Sequence, residues 1–485
     1  MQQKIKEIEL ILEQYQVEMQ QNLCKLLQIE SVLAEAGESC PFGVEIGRAL
    51  DFVLGLAAGW GFVCENDHGY VGLVDWGSSD FQIGVLTHID VVPAGSGWQT
   101  DPFCPRIIDG RIVARGAIDD KGPLMAVLYA FRAIKESGVA LPVTLRHIIG
   151  TNEENGSQCL AYFLKHHTPP AISFSPDAEF PLIHGEKGIL QCALLPDLTK
   201  AGETDGSSQV EDMILRWAKG GTAVNIIPDE AEACLKLTTR GKELFLQAYN
   251  QFEDKDGIAY DEKNGEVLVH AIGQAAHGSL PDSGYNAVAL LLRFLSCLPL
   301  SGANGKYCRD IAHLMAYAND GGGLDMKLSD EYSCLTAAIT MLNIKEIAVK
   351  DQESYAMMDM RFPVSMAGES IINKLHAGTA AYNIVLGKCL LKEPHFLPVH
   401  HPLVRQLLMV YKNITGDDSP PLVIGGGTYA REMKNSVAFG PVFPGEVSLA
   451  HHKGESISCE NLLKLAKIYA VALCLLADMP KELFL

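Results

Sequence analysis

Three short apolar runs in the first 180 residues each stop at a cluster of acidic or imidazole side chains, and this repeated pattern restricts the fold more than any other feature of the chain. Ile83–Leu86 runs into His88, Ile89 and Asp90; Val143–Ile149 runs into Glu153 and Glu154; Ala171–Phe174 runs into Asp177. Short aliphatic runs between polar segments fit the interior of a parallel sheet better than a half-exposed face. Between them, the stretch from Lys121 to Gly138 and the stretch from Cys159 to His167 place apolar residues at helical spacing. Strand, loop and helix in repetition predict a largely parallel sheet flanked by helices. In such sheets ligands collect outside the carboxyl ends of the strands, which is where the polar clusters fall. Asp119 and Asp120 open a loop just ahead of a helix and belong with them.

At 485 residues the chain exceeds one core of ordinary size. An N-terminal helix, a second over Pro41–Leu56 and a strand over Gly69–Trp76 precede the runs above. From about Leu182 to Tyr382 the pattern changes to strands and helices joined by hairpin turns such as Lys263-Asn264-Gly265, with exposed segments at Ala201–Ser208 and Asn319–Leu324. The expected organisation is a catalytic domain from 1–183 and 389–485 around an inserted α+β domain, 184–388. A helix over Pro402–Tyr411, a strand over Ser436–Phe439 and a helix over Leu462–Ala477 complete the first domain. Net charge −20, from 39 basic and 59 acidic residues, argues against a nucleic-acid partner and supplies no polybasic patch for a membrane. No run approaches membrane-spanning length, and the N-terminus reads as an amphipathic helix rather than a signal peptide. Thirteen cysteines without a C-x-x-C pair favour reduced thiols in a cytoplasm. The glycine-rich turns lack the Lys-Ser/Thr of a phosphate loop, and no G-x-S-x-G elbow supplies a serine nucleophile.

His88 and Asp90, two apart on an extended segment, point the same way. The Asp can take the proton on one imidazole nitrogen and aim the other at a metal or substrate; the alternative is an Asp capping the next turn and a His bonded to backbone. The candidate ligands at the sheet mouth are His88, Asp119, Glu154, Asp177 and a histidine of Ala450-His451-His452. A carboxylate-rich set without thiolates suits zinc, manganese or cobalt, and five ligands exceed what one catalytic zinc takes from protein. Two ions roughly 3.5–4 Å apart and sharing a carboxylate fit better, with a water between them as nucleophile. One carboxylate should then stay unliganded as base, and Glu153 with Glu154 offers both roles. A solvated acidic turn is the other reading of that pair.

Nine segments, THIDVVPAG, RGAIDDKGP, GTNEENG, FSPDAEFP, NIIPDEAEA, AAHGSLPDSGYNA, DMRFP, GGGTYAR and AHHKGE, stand in the order and spacing of a known family. By them the chain resembles the M20 metallopeptidases, and within these the PepV-like dipeptidases, over nearly its whole length. The resemblance implies an α/β fold in which a mainly parallel-sheet, helix-flanked catalytic domain of zinc-peptidase type carries an inserted lid. It further implies two divalent ions, zinc foremost and manganese or cobalt as alternatives. His88 and Asp177 would hold one, Glu154 and His451 the other, and Asp119 would bridge them. His451 is preferred to His452 because the family places a Glu four residues after its liganding His, here Glu455. Asp90 would orient His88 and Glu153 would be the general base acting on a metal-bridged water. His277 would stabilise the oxyanion from the lid, with Asn225, Arg361 and the Gly426–Thr428 turn holding the substrate carboxylate. The implied activity is hydrolysis of short unblocked peptides, with deacylation of N-acyl amino acids as the alternative and a non-catalytic binding protein as a third reading. The enlarged insertion implies a monomer rather than a homodimer.

Overall fold

The segment Gln82–His88 forms a strand buried along nearly its whole length, because its aliphatic residues have neighbouring strands on both edges and helices against it. In this computed structural model, which describes residues 2–197, 199, 212–263, 265–345 and 354–484, it is the centre of a mixed sheet. Four parallel strands, in the order Thr144–Gly150, Gln82–His88, Ile172–Ser175 and Ser436–Ala438, make the middle. Val71–Trp76 and Val63–Asp67 extend one side antiparallel, and Ile183–Glu186 begins the antiparallel side opposite. The parallel pattern expected from the sequence thus holds at the centre, where the polar clusters lie, and gives way to antiparallel pairing outside it.

The helix Lys121–Glu136 is buried on almost all sides, among its interior residues only Arg132 and Lys135 escaping full burial. A helix apolar all round needs a second layer over it, and Gln2–Leu27 and Cys459–Ala477 supply that layer. Lys121, at its start, is itself buried and donates to the carbonyls of Leu26 and Ile29 at 3.3 and 2.7 Å, tying down the end of the N-terminal helix. Gly122 has a simple reason: a Cβ there would lie 2.1 Å from the carbonyl oxygen of Ala117.

The chain divides into two compact units, Met1–Gly185 with Phe396–Leu485, and Glu186–His395. The second has its own sheet of eight strands and its own core, including Leu215, Val269, Phe294, Ile339 and Met358. Its last long strand, Ile384–Lys392, pairs with Gly188–Pro196 and so carries this unit past residue 388. Ile258–Lys263 and Glu266–Ile272 form the hairpin expected there, Lys263 opposite Glu266; Asn264 of that turn, like Ala201–Ser208, lies outside the described residues. The Asn319–Leu324 segment is less exposed than its glycines suggested, because Leu324 is buried at the end of a 3₁₀ turn. The all-thiol expectation is corrected at one place: Cys192 and Cys389 face each other on adjacent antiparallel strands and are joined as a disulfide. A separation of 197 residues gives no local sign of that pairing. Among the described residues no helix is long and apolar enough to cross a membrane.

Candidate metal centre

Parallel strands deliver their carboxyl ends to one edge of the sheet. His88 closes its strand level with Gly150, the last residue of the neighbouring strand, and Glu153 and Glu154 follow three and four residues later. Asp177 lies two residues beyond the end of the strand on the other side. Gly150 is required where it stands, since a Cβ would fall 1.9 Å from the hydroxyl oxygen of Tyr429. That tyrosine is buried, pairs with the Cys159 sulfur at 2.9 Å and sets its ring edge-on to His88.

Two groups of potential ligand atoms meet here, one from His88, Asp119 and Asp177, the other from Asp119, Glu154 and His451, the atoms within each lying inside 4.8 Å. Asp119 belongs to both. Its Oδ1 is 2.9 Å from His88 Nε2, and its Oδ2 is 3.0 Å from His451 Nε2, which is also 3.0 Å from Glu154 Oε1. Asp177 Oδ2 is 3.9 Å from His88 Nε2. His88 is buried while His451 is half-exposed, so the centre opens to solvent on the His451 side. His451 has a left-handed backbone, φ 65°, uncommon for a residue with a side chain. His452 turns away and bonds the carbonyl of Ala450.

The electrostatics are those of buried carboxylates crowded around two imidazoles. Burial, reinforced by the charge of Asp119, pushes the carboxyl of Glu154 up to about 7 and that of Asp177 up to about 6. Glu153 is raised well above the usual carboxylate range by loss of solvent, with Asp177, Glu154 and Asp90 adding to it and His88 opposing. Burial alone would lower His88, but the surrounding carboxylates of Asp119, Asp177 and Asp90 outweigh it and raise it well above its usual value; Asp119 and Glu154 do the same for His451.

The donors fit divalent cations by an observation independent of charge. His88 Nε2 and Asp119 Oδ1 are buried and face each other at 2.9 Å, yet neither has a hydrogen-bond partner. Buried polar atoms are ordinarily satisfied, and a shared cation satisfies both. With imidazole and carboxylate donors and no thiolate, zinc, manganese and cobalt all suit the set. A third group, Glu65, Asp67 and His167, lies on the outermost strand and the helix end beside it. There Asp67 pairs with His167 at 2.7 Å and accepts from Tyr162.

Asp90 faces His88 with its main chain and its carboxylate, and holds a neighbouring loop as well. The proton on His88 Nδ1 goes to the main-chain carbonyl of Asp90 at 3.0 Å, while the carboxylate lies 3.5 Å from that nitrogen. Its two oxygens instead accept the N–H groups of Glu153 and Glu154 at 3.0 and 3.1 Å. Three residues not singled out as functional complete the surroundings. Asp120 accepts the N–H of His88 at 3.1 Å, and Glu455, paired with Arg115, accepts the N–H groups of Ile118 and Asp119. For Arg115 and Asp120 the available signal was charge inside an otherwise apolar segment; Glu455, in His-His-Lys-Gly-Glu-Ser, gave none.

Within the second unit, His277 Nδ1 lies 2.6 Å from Ser279 Oγ, and Gly278 donates to the carbonyl of Asn225, bringing these two residues together. Arg361 is buried and forked onto Asp359 through Nε and Nη2 at 2.7 and 2.8 Å. In the first unit, Thr428 uses its hydroxyl to accept from Ala430, while a Cβ at Gly426 would touch Ile424 Cδ1 at 3.9 Å.

Residues 84–474 match the sequence profile described as peptidase family M20/M25/M40. A relative from Bacillus subtilis (strain 168), named "Putative dipeptidase YtjP", is 36% identical over 459 residues, covering 93% of this chain and 96% of its own. Human carnosine dipeptidase 1 shares the fold with TM-score 0.56 and 16% identity, over 98% of this chain and 99% of that one. Aminoacylhistidine dipeptidase from Vibrio alginolyticus does so with TM-score 0.57 and 12% identity, over 95% and 96%.

Proposed function

The chain belongs to peptidase family M20/M25/M40, whose members are metal-dependent, and on that premise we propose that it is a dipeptidase working through a pair of divalent ions. The observation that carries this is the double membership of Asp119, whose two carboxylate oxygens face two different histidines at 2.9 and 3.0 Å. Asp119 is the shared ligand, with His88 and Asp177 on one side and Glu154 and His451 on the other. The ions, zinc in this reading, supply Lewis acidity and lower the pKa of water.

The residues do the rest. Glu153, held next to Glu154 by the carboxylate of Asp90, takes the proton of the attacking water and returns it to the leaving amine. Burial and the neighbouring carboxylates raise its proton affinity, which favours a group that must hold a proton before passing it on. The family resemblance assigns recognition of the free carboxylate of a short unblocked peptide to Arg361, forked onto Asp359, and Asn225 in the second unit, and to Gly426 and Thr428 in the first. His277 donates a hydrogen bond to the developing oxyanion. The enzyme acts as a cytoplasmic monomer, whose mass light scattering checks.

Glu153→Gln is the decisive variant. It should retain both metal equivalents while kcat on an unblocked dipeptide falls about 10²–10⁴-fold, the range for loss of a general base. Full activity in that variant removes Glu153 from the reaction. Faster turnover of N-acetyl or N-succinyl amino acids than of unblocked dipeptides would replace the dipeptidase assignment with deacylation.

A further inference from the structure

We propose that Glu455 and Arg115 are positioning residues that set the main chain of Asp119, so that one turn, His451 to Glu455, meets this residue at its main-chain nitrogen and at its carboxylate. The inference rests on the reading of Asp119 as the ligand common to two ions.

Glu455 and Arg115 are both fully buried, 0% and 1% exposed. Taking two charges out of water is costly, and an apolar pair of the same volume is often no less stable, so a buried pair calls for a use that packing alone does not give. Here both carboxylate oxygens are engaged. Oε2 accepts from Arg115 Nη1 at 2.6 Å, and Oε1 collects two successive main-chain donors, the N–H groups of Ile118 and Asp119, at 3.0 and 3.2 Å. Consecutive N–H groups converging on one point form an anion-binding concavity, and an apolar side chain cannot fill it without leaving both donors unpaired. The segment is fastened further by Ala114 N–H on the carbonyl of Glu455 and by pairing of Arg111–Val113 with Ser456–Ser458.

Four residues upstream in the same turn, His451 Nε2 lies 3.0 Å from Asp119 Oδ2. Left-handed backbone at His451, φ 65°, and at Gly454, φ 78°, makes the turn short enough for both contacts. Asp119 is therefore held at its main-chain nitrogen by Glu455 and faced at its carboxylate by His451. Arg115 extends the framework to the loop following His88: its guanidinium stacks over Trp98 at 5.4 Å, and Trp98 Nε1 donates to the carbonyl of Ala94 at 2.7 Å. A displacement of Glu455 moves both oxygens of Asp119 relative to His88 and His451 together.

The test uses the full chain, stripped with a chelator and titrated with Zn²⁺ in competition with a chromophoric chelator, alongside kcat and KM on a dipeptide. Glu455→Gln should lower Zn²⁺ affinity about 10–100-fold, as loss of groups that orient ligands does, and lower kcat with KM changed less than twofold. Arg115→Lys, which keeps the charge and carries the same test if Glu455→Gln does not fold, should give a smaller loss in the same direction. In Glu455→Leu with Arg115→Met, the thermal midpoint of the metal-free protein should recover relative to Arg115→Met alone, whereas Zn²⁺ affinity should not. Recovery of both, or wild-type Zn²⁺ affinity in Glu455→Gln, assigns the pair to packing and overturns the proposal. Wild-type protein that binds Zn²⁺ but cleaves no dipeptide overturns the dipeptidase reading alone; wild-type protein that binds no Zn²⁺ overturns both.

Discussion

Replacing Asp90 by Asn separates two accounts of how this centre is held. Asp90 is buried, and each of its carboxylate oxygens accepts one main-chain N–H, from Glu153 and from Glu154. An Asn has one acceptor. One bond is lost, and since hydrogen bonds to charged groups contribute about 1.5–3 kcal/mol, that loss is of the same size. The other bond becomes neutral and weakens by about 1 kcal/mol. The sum, about 2.5–4 kcal/mol, falls on the loop that carries both the proposed base and a proposed ligand. Expressed wholly in the reacting state, it is a loss of about 70- to 900-fold in kcat/KM. The hydrogen bond on His88 Nδ1 should survive, because its acceptor is the main-chain carbonyl of Asp90, 3.0 Å away. Double-mutant cycles then give opposite answers for the two accounts. If Asp90 acts through the Glu153–Glu154 loop, Asp90→Asn should be non-additive with Glu154→Gln and additive with His88→Ala, for kcat/KM and for Zn²⁺ affinity alike. Coupling to His88 alone, or a loss below threefold in the single variant, refutes the reasoning.

The metal-free protein should be more stable at pH 5 than at pH 8. Glu154 at about 7 and Asp177 at about 6 are raised above their unfolded values, and His88 and His451 are raised as well. At these four groups the native state therefore binds more protons than the unfolded one in this window, outnumbering the opposite effect of buried His147, whose imidazole burial lowers to about 3, and the stability they contribute is lost as pH rises through their native values. Calorimetry without metal reads the slope directly; divalent ions should flatten it, and a metal-free midpoint that rises from pH 5 to 8 contradicts the assignment. Gly150→Ala should destabilise by about 2–3 kcal/mol, because its Cβ would sit 1.9 Å from a buried tyrosine oxygen; an unchanged midpoint shows that Tyr429 yields freely. His451→Ala should cost one of two bound metal equivalents by elemental analysis. His452→Ala should stay within twofold of wild type in affinity and turnover, since its imidazole bonds only its own turn, and the reverse pattern exchanges the two histidines.

What the sequence could reveal follows from which interactions leave a local trace. A buried strand is an apolar run, and its end is where the run stops; hence Gln82–His88, Thr144–Gly150 and Ile172–Ser175 lie within a residue or two of their expected positions. The polar residues at those ends converge because parallel pairing puts them at one edge, a consequence of topology that the repeated order already contains. The outer antiparallel strands leave no comparable trace, and the Cys192–Cys389 bond depends on register between strands nearly two hundred residues apart. Side chains that bind main-chain N–H groups are harder still, because every residue except proline offers the same donor. Nothing near Asp90 in the sequence distinguishes a carboxylate turned to His88 from one turned to the amides of Glu153 and Glu154. The same holds for Glu455, which serves in the sequence only as a spacing mark after His451 and in the fold accepts from Ile118 and Asp119. Candidate ligands can be proposed from chemistry and order, whereas the groups that hold them still must be read from coordinates. Substitutions at Asp90 and Glu455, rather than at the ligands, are therefore where this structure adds most to the sequence.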